Sequence, residues 1–119
     1  MKEQFVPYEL ALKLKQLGFD ESCLAYWDDD KVFNLNEEYL KGTDMDSTWL
    51  TAPLFQQAFR WFRKQKFLID LTSLNSDEYE FYIQWSFAYS FLSDIYKTYE
   101  EVELACLNKL IDIVELNKL

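Results

Sequence analysis

Tyr79, Phe81, Ile83, Trp85, Phe87, Tyr89 and Phe91 occupy seven successive odd positions, with Glu80, Tyr82, Gln84, Ser86, Ala88 and Ser90 between them. Side chains of a β-strand alternate between two faces, so a period of two over this length predicts a half-buried strand. One face packs on a core, with Phe81, Ile83, Trp85 and Phe87 as the expected buried set. The other face meets water or a partner. A bend, or a second short strand, is expected near Ser90.

The remaining elements follow from local chemistry. Val6-Pro7 opens a first helix, because proline is tolerated in a first turn where its missing N–H costs nothing. Leu10, Leu14 and Leu17 recur at helical spacing, and Gly18 is a left-handed terminator. Tyr8 and Leu12 fall on another face, beside Lys15, so this helix is expected to be covered on more than one side. Residues 23–36 read as a hairpin: Leu24–Trp27 outward, Asp28–Lys31 as the turn, Val32–Leu35 returning. Residues 37–50, polar and acidic around Gly42, read as a loop or a short element. Thr51 is a candidate cap and Pro53 sits in the first turn of a helix that runs to about Gln65. Leu54, Phe55, Ala58, Phe59, Trp61 and Phe62 share an arc of about 160° there, opposite Arg60, Arg63, Lys64, Gln56 and Gln57.

Phe67–Leu71 reads as a strand and Asn75–Asp77 as a turn. Thr98-Tyr99-Glu100-Glu101 is a capping box, and its acids suit the positive end of a helix running to about Glu115. The apolar residues of that helix span roughly 200°, wider than one packed face needs. It is either wedged between two elements of the chain or contributes part of a dimer seam. The order helix–hairpin–helix–hairpin–helix predicts a compact α+β arrangement with an antiparallel sheet, and residues 1–119 as a single domain.

Composition narrows the chemistry. The 119 residues include no His, two Gly and two Cys. Without His there is no Ser-His-Asp or Cys-His catalysis and no His-containing zinc site. Isolated Gly18 and Gly42 make no glycine-rich phosphate loop. Asp28-Asp29-Asp30 offers oxygens to Mg²⁺ or Ca²⁺, but no EF-hand spacing completes a site, and a solvated turn is the simpler expectation. Cys23 and Cys106 lie among apolar neighbours in no metal or redox spacing, so both are expected to be buried free thiols. No catalytic residue, metal or cofactor is expected, and the chain is read as a non-enzyme. No run approaches the roughly 20 apolar residues of a membrane span, and the first residues do not resemble a signal peptide. A soluble, cytoplasmic protein that does not enter membranes is expected.

Charge is arranged in blocks. The net charge is −9. Residues 20–46 hold nine acids and two lysines, and residues 70–103 hold eight acids and one lysine. Between them, residues 52–67 carry Arg60, Arg63, Lys64 and Lys66 and no acid. A solvated helix face accounts for this. Two functional readings also do: the acidic blocks imitate nucleic-acid phosphate, or the basic helix grips phosphate or an acidic patch. Arg60 and Arg63 suit stacking on bases or bidentate contact with phosphate. A pI near 4.4 argues against free duplex DNA as the ligand. Most of the aromatic residues are placed by the core. Trp27, Tyr82 and Tyr26 are placed less easily and are candidate interface anchors.

Four stretches carry a family resemblance. They are Met1–Glu9, Leu14–Glu21 (Leu-Lys-Gln-Leu-Gly-Phe-Asp-Glu), Ala52–Arg63 (Ala-Pro-Leu-Phe-Gln-Gln-Ala-Phe-Arg-Trp-Phe-Arg) and Thr98–Val114 with its Tyr-Glu-Glu-x-Glu-Leu-Ala-Cys-Leu-x-Lys-Leu-Ile pattern. Together they resemble a family of small proteins of Bacteroidota and their phages, prophages and mobile elements, over about half of the chain. Residues 84–97 depart from that pattern, being more aromatic and less acidic. The family supplies no catalytic residue. The resemblance implies a counter-defence or accessory factor, similar to anti-CRISPR inhibitors of type VI effectors, which are RNA-guided ribonucleases. On that implication the partner is the effector ribonucleoprotein or its guide RNA. Arg60, Arg63, Lys64, Lys66, Trp27 and Tyr82 are the candidate contact residues. A phage-encoded sponge holding a small ligand or nucleotide in an aromatic pocket, and a regulatory interaction protein without a defence role, are the alternatives.

Overall fold

The computed structural model describes residues 2–40, 48–87 and 89–117. The chain divides into two compact units, Met1–Ala58 and Phe59–Leu119, so the boundary falls within one helix. The α+β class holds. Among the described residues there are three α-helices and two three-stranded antiparallel sheets, with a 3-10 turn at Lys2–Gln4.

In the first unit, Pro7 is the N-cap of α1 (Tyr8–Gln16), its fixed φ of −63° placing the chain at the helix entrance. Gly18 ends the helix at φ +105°. The Phe19 amide donates to Leu14 O and the Gly18 amide to Lys15 O, both at 3.0 Å, the paired bonds of a Schellman cap. Strand β1 (Cys23–Trp27) is central, flanked by β2 (Phe33–Leu40) and β3 (Leu50–Ala52). Burial alternates along β1, with Cys23, Ala25 and Trp27 inward. Tyr8 lies edge-on to Trp27 at 6.2 Å, with the Lys31 ammonium 5.0 Å from the Tyr8 ring.

Two expectations for this region need correction. Residues 37–40 belong to β2 rather than to a loop, because pairing with β1 extends to Cys23 opposite Leu40 across an irregularity. The loop expected over 41–47 lies outside the described residues. Thr51 is not a helix cap. It pairs with Tyr26 in β3, and α2 (Phe55–Lys64) begins later, after the isolated bridge of Leu54 to Phe5. Propensity alone does not separate a capping threonine from a strand threonine; the free edge of β1 does.

In the second unit, β4 (Leu68–Asn75), β5 (Glu78–Gln84) and β6 (Ser90–Leu92) form the sheet, with β5 central. The 79–91 alternation is therefore two strands. After Gln84 the chain turns back, held by the Trp85 amide on Tyr89 O at 3.2 Å and the Tyr89 amide on Ser86 O at 3.4 Å. Gln84 then pairs with Ser90, and Ile83 with Phe91. A five-residue connection preserves parity, so Phe91 stays on the face of Phe81 and Ile83. The residues in the turn escape the pattern. Phe81 and Ile83 are buried and Trp85 is half-buried, but Phe87 is fully exposed, at 109% of its reference area. The expected burial of Phe87 is thus wrong.

The last helix, α3 (Tyr99–Asn117), is capped as expected, with the Glu101 amide donating to Thr98 Oγ1 at 3.1 Å. Of its wide apolar arc, Val102, Cys106, Leu107, Leu110, Ile111 and Ile113 are buried, whereas Leu104 is exposed.

Candidate functional site

Helix α2 sorts its side chains as the 3.6 period dictates. Phe55, Ala58, Phe59 and Phe62 are buried, whereas Arg60, Arg63 and Lys64 are exposed. The helix ends in a second Schellman cap. The Phe67 amide reaches Phe62 O and the Lys66 amide reaches Arg63 O, while the Phe62 and Phe67 rings meet edge-on at 5.8 Å. Lys66, not glycine, takes the left-handed position at φ 77°. That geometry costs a non-glycine residue about 1–2 kcal/mol. The four cations are all exposed and follow one another from the helix into its cap.

They are not equivalent. Arg63 donates from its guanidinium to Ile69 O at 2.8 Å, covering part of the open edge of β4. It therefore has a structural duty, and replacing it would disturb the sheet as well as the charge. Arg60 and Lys66 carry no such bond to backbone among the described residues.

Lys66 also opens the second feature. With Leu68, Gln84, Trp85, Ser86 and Phe87 it lines an open groove of about 400 Å³. Trp85 is a wall shared with an adjoining depression of about 330 Å³, lined also by Gln65, Phe67, Val114 and Asn117. The Tyr89 ring lies nearly parallel to Trp85, 6.0 Å away at an interplanar angle of 11°. Leu68 and Tyr89 are 62% and 61% exposed. Contiguous apolar exposure of this kind marks an interaction surface more often than a scattered one does.

Of the aromatic anchors expected from sequence, Trp27 lies in the core. It is 7% exposed, and its indole N–H donates to Val6 O at 3.1 Å in buried surroundings. Tyr26 stacks on Trp49 at 4.5 Å. Tyr82 is half-buried on the outer face of the second sheet, its hydroxyl 3.4 Å from Gln84 Oε1. Tyr82 and Lys66 therefore converge on Gln84. Trp85, Phe87 and Tyr89 were missed as surface residues because their odd positions continue the buried pattern. The available signal was length: thirteen residues is far beyond the usual strand of about 5–6, and the even positions shift from Glu, Tyr and Gln to Ser, Ala and Ser.

The acidic turn is structural. Asp28 Oδ1 accepts the amides of Asp30 and Val32 at 2.9 and 3.0 Å, and Oδ2 accepts the Asn34 amide at 3.1 Å. These bonds, chiefly that from Val32, hold its carboxyl below the usual range. Asp28, Asp29 and Asp30 can bring one oxygen each within 4.8 Å of one another. Both Asp28 oxygens are already engaged in shaping the turn.

Neither thiol is poised for chemistry. Cys23 and Cys106 are buried and unpaired, and burial pushes both up to about 12. Arg63 opposes this at Cys106 and is outweighed. Iodoacetamide at pH 8 should therefore leave the folded protein unmodified and label both cysteines at once in denaturant. Because the folded form holds its thiol protons more tightly, stability should be fully present below about pH 9 and fall as the pH rises toward 12. Rapid labelling of the native protein would contradict the buried placement.

No described helix is long and apolar enough to cross a membrane. No protein-family model, curated protein or solved structure matches the chain.

Proposed function

We propose that this is a non-enzymatic binding protein of a phage or mobile element, an anti-CRISPR that engages an RNA-guided ribonuclease through the guide RNA that the effector carries. One observation carries this: the exposed cations of α2 run without an intervening acid into a groove lined by half-buried Trp85 and exposed Phe87, with Lys66 belonging to both. Cations that follow a phosphate backbone beside aromatic platforms are the general means of holding a single strand. Burial raises both thiols to about 12, so neither Cys23 nor Cys106 is poised as a nucleophile.

The charge arrangement supplies the test. Arg60→Glu with Lys64→Glu, leaving Arg63 in place to hold Ile69, should weaken binding to the effector ribonucleoprotein at least tenfold. The melting temperature should stay within a few degrees. Wild-type affinity should fall with added salt, and the double variant should be less sensitive. If neutralising acids in residues 20–30 and 70–80 weakens binding and the double reversal does not, the acidic blocks are the contact surface. The groove also favours a second function, sequestration of a small nucleotide. Nucleotide binding that survives the α2 reversal, with no affinity for the ribonucleoprotein, would establish it.

A further inference from the structure

We propose that the groove between Lys66 and Phe87 seats an unpaired nucleobase against Trp85, with the attached phosphate on the Lys66 ammonium. This rests on the RNA-binding reading above and assigns it a subsite.

The groove is built before any ligand arrives. The Trp85 backbone is held by its amide on Tyr89 O, and its ring lies nearly parallel to that of Tyr89, which orients an aromatic platform. Phe87 projects wholly into solvent at the groove margin, where an arriving ring can be covered on a second side. Gln84 shares the lining. Its Oε1 lies 3.4 Å from the Tyr82 hydroxyl and its Nε2 lies 3.4 Å from Ser86 O. Those contacts orient the amide while leaving one N–H and one oxygen lone pair unused, a donor and acceptor side by side. The polar edge of a base presents the complementary pair.

Charge selects the same class of ligand. Among the described residues Lys66 is the only ionised one in the lining, and the left-handed cap fixes its backbone at the end of α2. The nearest acid in sequence on the β4 side, Asp70, is outside the lining, two residues beyond Leu68 on the same strand face and opposite Tyr82. A purely apolar peptide would leave Lys66 and the Gln84 amide unmatched. A base carrying a phosphate matches both. Every base has a π-face, so the subsite should tolerate sequence variation. The groove volume of about 400 Å³ falls within the range of about 300–1,000 Å³ usual for small-ligand sites.

The experiment follows the four tryptophan indole N–H resonances in ¹⁵N-labelled protein during titration with an eight-nucleotide uridylate strand and, separately, with uridine monophosphate. Trp85→Phe identifies the Trp85 signal. That signal should move with the strand, while that of Trp27, buried and bonded to Val6, stays in place. Phe87→Ala and Lys66→Gly should each weaken the strand about tenfold. Both keep the fold, since Phe87 is outside the core and glycine suits the φ of position 66. Uridine monophosphate should shift the same signal at far higher concentration. Equal affinity for the monophosphate would keep the base subsite and overturn the strand reading of α2. Strand binding with an unmoved Trp85 and no loss in Phe87→Ala would overturn the subsite and leave the α2 reading intact. Silence with both ligands would overturn the subsite outright.

Discussion

Phe81→Ala should destabilise the protein by about 3–5 kcal/mol, whereas Phe87→Ala, in phase with it in the same alternation, should change stability by no more than about 0.5 kcal/mol. Phe81 is 2% exposed, and its ring lies 5.7 Å from Phe91 and 6.4 Å from Tyr96. Both of its backbone groups are engaged by Ser93, whose hydroxyl accepts the Phe81 amide at 2.8 Å and whose own amide donates to Phe81 O at 3.0 Å. Truncation would empty a site whose frame is held in place and cannot readily collapse. Phe87 has no such surroundings to lose. Urea unfolding of the two variants measures the contrast. Equal losses would mean that residues 85–89 pack into the core and that the groove does not exist.

Trp27→Ala should cost a similar amount, about 3–5 kcal/mol, and Trp27→Phe about 1–3 kcal/mol. The second figure isolates the indole N–H. Phenylalanine keeps most of the apolar volume but leaves Val6 O buried without its donor. That bond also ties the segment before α1 to the central strand of its sheet, next to the Val6 amide bond to Pro53 O at 2.8 Å. Thermal unfolding of both variants gives the magnitudes, and hydrogen exchange at the Trp27 indole tests the bond directly. An exposed, rapidly exchanging indole with unchanged stability in Trp27→Phe would restore Trp27 to the surface as an interface anchor.

These two residues mark where sequence and structure part. Trp27 and Phe87 are both aromatic residues at positions with strand-like neighbours, and composition ranks them alike. Trp27 sits at the end of a strand whose alternate residues, Cys23 and Ala25, are also inward, so its burial follows from a period of two that continues. Phe87 sits where a period of two continues in the sequence but the backbone leaves the ladder. The length of the alternation and the small even-numbered residues Ser86, Ala88 and Ser90 announce a break near Ser90, but with neither glycine nor proline in the turn they do not say which odd residues leave the core. That is set by the pairing of β5 with β6 and of β5 with β4. These are long-range partnerships that decide how far a strand can run before its neighbours end.

The α2 cations show the converse. A 3.6-residue period with aromatic residues on one arc leaves the opposite arc no environment but water, so the exposure of Arg60, Arg63 and Lys64 was legible in the sequence. Their separate duties were not. Arg63 reaches Ile69 O because the chain reverses after Lys66 and lays the β4 edge against it. Lys66 lines a groove because the β5–β6 turn arrives beside the cap.

The sequence by itself determined the α+β class, the helix caps at Gly18 and Thr98, the Asp28 turn and the two-sided character of α2. Each depends on neighbours within about four residues or on one short periodicity. Only the tertiary structure decided that Thr51 joins a strand, that Phe87 leaves the core where the 79–91 alternation breaks, and that Trp85, Phe87 and Lys66 meet around one groove. Those outcomes depend on which strand edge is available to pair. Edge availability is a property of the assembled sheet, and no window of sequence contains it.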